Sequence, residues 1–281
     1  MVYHSFLDDS KDKGAQSVMV SAGFYAGRDD WESFRIDWKK VLKANKLDYF
    51  KSSECHCVNG QFLHLRKSGK TYAIQEEKDE ARAVRAELQS VLSQHPAIRG
   101  IGVAVQLEDY RRLAALPDAN NILPSDPYKA ALSSVMIETV KHMRKLPGHN
   151  VVAFIHDQGD EFDELRGCYQ AFRKMNKTTA KFMGGFEPMD DKATPALQAA
   201  DLIANHTTFL MRKKLDSKDA VVEMRENLSR LGYWDERYIA AVIKNGLVKR
   251  GKPIPLDIEE IDTSRHLREP HEDVQSRPSL S

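Results

Sequence analysis

Only three cysteines occur in 281 residues, two of them in the run Cys55-His56-Cys57. That is too few for the disulfide framework of a small secreted scaffold. No charge of one sign dominates either: 42 Lys and Arg stand against 41 Asp and Glu, for a net charge of +1. A polybasic, histone-like chain is excluded, so any nucleic-acid contact must come from a local patch. Apolar runs such as Val151 to Ile155 fall far short of the roughly 20 residues a membrane span needs, and no membrane segment is expected. The opening segment lacks a basic stretch followed by an apolar one, and the chain is expected in the cytoplasm. P-loop, dinucleotide glycine fingerprint and Gly-x-Ser-x-Gly elbow are all missing, which removes the simplest nucleotide-hydrolase, oxidoreductase and esterase readings.

What is present is 41% apolar residues in a chain long enough to bury a large core. Tyr3 to Asp8 and Ser17 to Tyr25 read as a β-hairpin joined by the polar segment Asp9 to Gln16. Trp31, Phe34, Trp38, Val41 and Leu42 fall at three- and four-residue steps and predict an amphipathic helix over 29–44. Residues 46–71 look irregular, and Thr71 to Gln94 predicts a long surface helix. Ile98 to Leu107 reads as a strand, and Pro127 to Lys145 as a helix capped by Asp126. Val151 to Ile155 reads as a strand buried on both faces and central in its sheet. Phe162 to Met175 is expected helical, Lys181 to Phe186 extended, and Thr194 to Lys214 helical with Pro195 at its first position. This order predicts an α/β protein with a mixed β-sheet flanked by helices. The expected organisation is one domain over 1–250, a helical insertion around 46–95, and a polar C-terminal extension over 251–281 that is a flexible tail from about Ser264. Trp234 and Tyr238 in the segment 221–247 would pack on the core or join two copies as a homodimer.

Two predicted strands end in an acid. Asp8 follows Phe6-Leu7, and Asp157 closes the run through His156; ligands of α/β sheets gather at such ends. Asp is also a common turn former, but the coincidence at two strands weakens that reading. Asp201 shares a helix stripe with Leu197, Ala200, Ala204 and Thr208, so it faces the core and needs a cation, from a lysine such as Lys192 or from a metal. Gln198 and Asn205 lie on roughly the same side as hydrogen-bonding groups. Cys55, His56, Cys57 and His64 offer soft ligands, but a one-residue separation of cysteines is unlike common zinc sites.

Three blocks resemble a bacterial domain-of-unknown-function family, the one numbered three thousand eight hundred, related to the ribonuclease H-like fold. They are Phe6-Leu7-Asp8-Asp9-Ser10, Phe154-Ile155-His156-Asp157, and the most specific, Leu197-Gln198-Ala199-Ala200-Asp201-Leu202-Ile203-Ala204. The resemblance spans about Val2 to Lys214, with Asp9 where the family has Glu and Lys11 where it has Gly. It implies a ribonuclease H-like fold and makes Asp8, Asp157 and Asp201 the acids of a metal site. Glu54 would be a further acid, a role open also to Asp9 or Glu187. Clustered carboxylates raise one another's pKa until a hard cation, Mg2+ or Mn2+, neutralises them. Two such ions would serve phosphodiester hydrolysis, with Asp8 bridging, Asp157 and Glu54 on one ion and Asp201 on the other. His156 and Lys51 are candidates for proton transfer or phosphate contact.

The implied activity is a nuclease acting on RNA or DNA, in mobile-element or phage-defence biology. Basic groups at 35–46, at Arg66-Lys67-Ser68-Gly69-Lys70, and at Arg173, Lys174, Lys177 and Lys181 would lead a backbone to the site, or form ordinary solvated faces. Two alternatives stay open: a non-catalytic binding module on the same fold, and a phosphohydrolase for a small phosphorylated molecule.

Overall fold

The polar segment between two apolar, alternating stretches folds as expected, into a hairpin. In the computed structural model, which describes every residue except 13, 15, 160, 161, 217–227 and 264–281, β1 (Val2–Lys11) pairs antiparallel with β2 (Val18–Gly27). Gly23 is required there: a Cβ on it would fall 1.9 Å from the carbonyl oxygen of Phe6. The remaining strands are β3 (Arg99–Gln106), β4 (Val151–Asp157), β5 (Met183–Met189) and β6 (Leu228–Trp234). The sheet order is β5-β4-β1-β2-β3-β6, with β2 and β3 antiparallel and the β1–β4, β4–β5 and β3–β6 pairs parallel. The expected mixed sheet flanked by helices is the architecture of the chain.

The helices are α1 (Arg28–Ala44), α2 (Ser52–Cys57), α3 (Gln75–Gln94), α4 (Leu107–Ala114), α5 (Pro127–Met143), α6 (Phe162–Met175), α7 (Lys177–Ala180), α8 (Pro195–Asp216), α9 (Glu236–Lys249) and α10 (Leu256–Glu259). Side chains alternate across a strand, so each strand feeds two cores. Phe6, Val18, Val20, Ala22 and Phe24 face a cluster with Trp31, Phe34 and Trp38 of α1, Leu88 of α3 and Leu197 of α8. Leu7, Met19, Tyr25, Ile101 and Val103 face the other, built with Val135 of α5, Phe172 of α6 and Ile239 of α9. Asp126 caps α5 as expected, accepting from the Tyr128 N–H at 2.9 Å.

Four readings change. The irregular stretch 46–71 contains α2 and a 3-10 turn, Gly60–Leu65. The helix read as a surface element buries Ala81, Val84, Leu88 and Val91 along one side. Strand β4 is interior but off-centre, between β5 and β1, while β2, buried along nearly all its length, is at the middle. Residues 228–234, for which no strand is expected, form the edge strand β6 through parallel pairing with β3. In the 251–281 segment, Ile258 of α10 is fully buried in the second core, and Trp234 packs on Tyr110 and Tyr238. The tail beginning at about Ser264 lies outside the described residues.

Candidate metal centre

Strand register decides which acids meet. Leu7 pairs with His156 on the parallel strands β1 and β4, so Asp8 and Asp157, the next residues, come side by side at one end of the sheet. Phe6 and Ile155, two residues earlier on each strand, face the core that contains α8. Asp8 and Asp157 therefore project to the α8 side. Helix α8 lies across β1 and β2 and brings Asp201 there.

The charges of Asp8 and Asp201 act on one site. Burial raises the Asp8 carboxyl well above its ordinary 3.8, and the charges of Asp201 and Asp9 raise it further. The Asp9 N–H, donating to Asp8 Oδ1 at 2.9 Å, and Lys51 pull the other way without prevailing. Asp201 is likewise raised, mainly by burial; the Ser52 N–H, donating to its Oδ2 at 2.5 Å, and the cations Lys51 and Arg85 moderate the rise. Asp9 is raised by burial and by Asp157, and lowered by His156 and Lys11. Oxygens of Asp8 and Asp9 and a ring nitrogen of His156 lie within 4.8 Å of one another. Among the described residues no larger group is that close, and Asp157 and Asp201 fall outside this set.

His156 is buried on the opposite face of β4 from Asp157. Its Nε2 makes a short hydrogen bond with the Tyr128 hydroxyl, and its Nδ1 lies 3.2 Å from the Asp157 carbonyl oxygen. Lys51, half-buried, pairs with Asp191 at 2.5 Å, and the charges of Asp201 and Asp157 act on it as well. Gln198, 2% exposed, ties these parts together. Its Oε1 accepts from Trp38 Nε1 at 2.9 Å and from the Phe50 N–H at 3.2 Å. Its Nε2 donates to the carbonyls of Asp191 and Lys192, both at 3.0 Å. The residue before Lys51 and the partner of Lys51 are thus fixed by one amide.

Glu54 has a different setting. Its Oε1 accepts from the Tyr49 hydroxyl at 2.9 Å and its Oε2 from the Gln61 N–H at 2.8 Å. Gly60, at φ 51°, leaves room for it; a Cβ there would sit 2.2 Å from Oε2. Glu187 is exposed on β5, in register with Ile155. Lys192, offered as a partner of Asp201, lies over the Tyr49 ring at 5.3 Å. Cys55 is buried with its thiol donating to the Ala81 carbonyl, whereas Cys57 is exposed, so the two do not share a face. Ser52, Arg85 and Asp191 were not singled out from sequence; Ser52 and Asp191 have no local pattern, and Arg85 reads as one charge among many on a charged helix.

No protein-family model matches the chain, and no curated protein matches it. Among solved structures it is similar to a chain of the PCNA:RNase HII complex from Archaeoglobus fulgidus, at 15% identity over 89% of this chain and 90% of that one, with a TM-score of 0.38. It is also similar to Bst-RNase HIII in complex with Mn2+, at 11% identity over 94% of this chain and 69% of that one, again with a TM-score of 0.38. No helix among the described residues is long and apolar enough to cross a membrane.

Proposed function

We propose that the protein is a nuclease of the ribonuclease H-like class, hydrolysing phosphodiester bonds of RNA or DNA with two divalent cations at the carboxylate centre. The carrying observation is that Asp8 and Asp201, far apart in the sequence, come close enough for the charge of Asp201 to add to burial in raising the proton affinity of Asp8. Uncompensated, such a pair destabilises the fold, and natural chains retain it where a ligand offsets the repulsion.

The donor set fits a hard cation. Asp8, Asp9, Asp157 and Asp201 offer oxygens and His156 a nitrogen, a combination suited to Mg2+ or Mn2+. The Ser52 hydroxyl, buried beside the Asp201 carboxylate, is a further oxygen there. We assign Asp8, Asp157 and Asp201 as the principal ligands, with Asp9 as the fourth acid in place of Glu54, whose two oxygens are taken by Tyr49 and Gln61. Bound cations would neutralise the carboxylates, activate a water and stabilise the leaving oxygen.

The rest is done by the chain itself. Ser52 fixes the Asp201 carboxylate by its N–H, Asp191 holds the Lys51 ammonium at the acids, and Gln198 fastens both supports. Tyr128 holds the His156 ring, which keeps its Nδ1 at the β4 strand end. The resemblance of the three acid-bearing blocks to the uncharacterised bacterial family supports the same reading. The test is cleavage of single-stranded, duplex and hybrid substrates in Mg2+, Mn2+ or EDTA. Metal-dependent cleavage lost in Asp8→Asn and Asp201→Asn is expected; equal cleavage by those variants would refute the proposal.

A further inference from the structure

Tyr49 to Ser52 is a short run with a different contact at each end. At one end the Ser52 N–H donates to Asp201 Oδ2 at 2.5 Å. At the other the Tyr49 hydroxyl donates to Glu54 Oε1 at 2.9 Å, which fixes the ring, and the Lys192 ammonium lies over that ring, 5.3 Å from its centre. Three steps of chain span at most roughly 11 Å. The ring and the lysine above it therefore stand at the rim of the carboxylate centre, on the side where the insertion meets the segment between β5 and α8.

Lys192 is exposed, yet its backbone is fixed at both polar groups. Its N–H donates to Asp190 Oδ1 at 2.9 Å, and its carbonyl accepts from Gln198 Nε2 at 3.0 Å. The same amide accepts the Phe50 N–H at 3.2 Å, so Lys192 and the Tyr49–Ser52 run are fastened to one side chain. Lys40, Lys67, Lys129 and Lys141 each pair with an acid, and Lys51 pairs with Asp191 at 2.5 Å. Among the described residues no carboxylate pairs with the Lys192 ammonium. An aromatic face orients an ammonium without neutralising it, and leaves its three donors for an incoming anion. A phosphate oxygen suits such a point charge. We propose that Lys192 is a substrate contact that receives a phosphate of the nucleic-acid strand next to the one at the carboxylates. This rests on the nuclease reading above and adds a path for the strand, which leaves the acids past Tyr49 and the segment before α8. Lys51, already paired, stays at the acids, and Lys192 is the cation that the first phosphate beyond them meets.

The assignment is tested by fluorescence anisotropy of a labelled single-stranded oligonucleotide and its duplex, in CaCl2 across a salt series. Lys192→Met is expected to weaken binding about threefold to tenfold and to reduce the slope of log affinity against log salt by about one. Lys192→Arg, which keeps the charge, is expected to bind as the parent does. The control is Lys249→Met, an exposed lysine at the end of α9, on the opposite side of the sheet from α8; it is expected to leave binding and slope unchanged. Lys192 is on the surface, so its variants should keep the parental melting temperature. Binding by Lys192→Met less than about threefold weaker than the parent overturns the assignment. So does an equal loss in Lys249→Met, which would report net charge in place of a contact. A parent that binds in a Lys192-dependent way but does not cleave in MgCl2 or MnCl2 keeps this assignment and removes the nuclease. A parent that cleaves while Lys192→Met binds equally well removes this assignment alone, and one that neither binds nor cleaves removes both.

Discussion

Ser52 donates its backbone N–H to the Asp201 carboxylate at 2.5 Å, across 149 positions of sequence. The bond pins the insertion to α8 at an acid whose burial needs compensation. Ser52 is the first residue of α2, where proline is tolerated, and Lys51 before it is extended, as a residue preceding proline must be. Ser52→Pro thus removes this donor with little change to the helix. We expect Mn2+ affinity to drop by roughly tenfold to a hundredfold, measured by calorimetric titration, with Ser52→Ala as the control for the hydroxyl.

Gln198 uses all four of its hydrogen-bonding positions. Replacing it with Leu leaves the buried Trp38 and Phe50 N–H groups without acceptors and removes a donor from the part-buried carbonyls of Asp191 and Lys192. The expected cost is about 2–4 kcal/mol of folding free energy by urea denaturation. A change under about 0.5 kcal/mol would show that this amide is not what fastens Lys51 and Asp191.

Glu77 governs the acid limb of stability. Its carboxylate, 2% exposed, accepts the N–H groups of Lys67, Ser68 and Ile74, which pulls its pKa from 4.5 down to about 2. A depressed folded pKa contributes stability that is present above 4.5 and is lost as pH falls towards 2. Melting temperature followed from pH 6 to pH 2 should drop through that window in the parent; Glu77→Gln should start lower and show a shallower drop.

Glu54 separates loop support from metal binding. If its work is to brace Tyr49 and Gln61, Glu54→Ala lowers the melting temperature by a few degrees and leaves Mn2+ affinity within about threefold of the parent. A loss of affinity above tenfold in a folded variant would return it to the ligand set.

How much of this was legible in the sequence depends on range. Asp157 could be read as a strand-end acid because the continuous apolar run before it is a local pattern, whereas Asp8, read the same way, lies inside β1, which runs on to Lys11. Asp201 could be read as core-facing because Leu197, Ala200 and Ala204 repeat with the helix. Helix α2 could not: six residues, Ser-Ser-Glu-Cys-His-Cys, carry no apolar period and are too few to form a helix without tertiary contacts. Strand β6 was hidden because Leu228 and Leu231 are spaced as on a helix, and only pairing with β3 makes them a strand. The partners of the acids, Ser52, Asp191 and Arg85, answer to contacts formed across the fold, which no window of sequence contains.

The central claim is that these distant carboxylates share cations, and calorimetric titration of Mn2+ into metal-free protein tests it most directly. The parent should bind, and both Asp8→Asn and Asp201→Asn should lose most of that binding while remaining folded. Absence of Mn2+ binding by the parent, or undiminished binding by both variants, would contradict it.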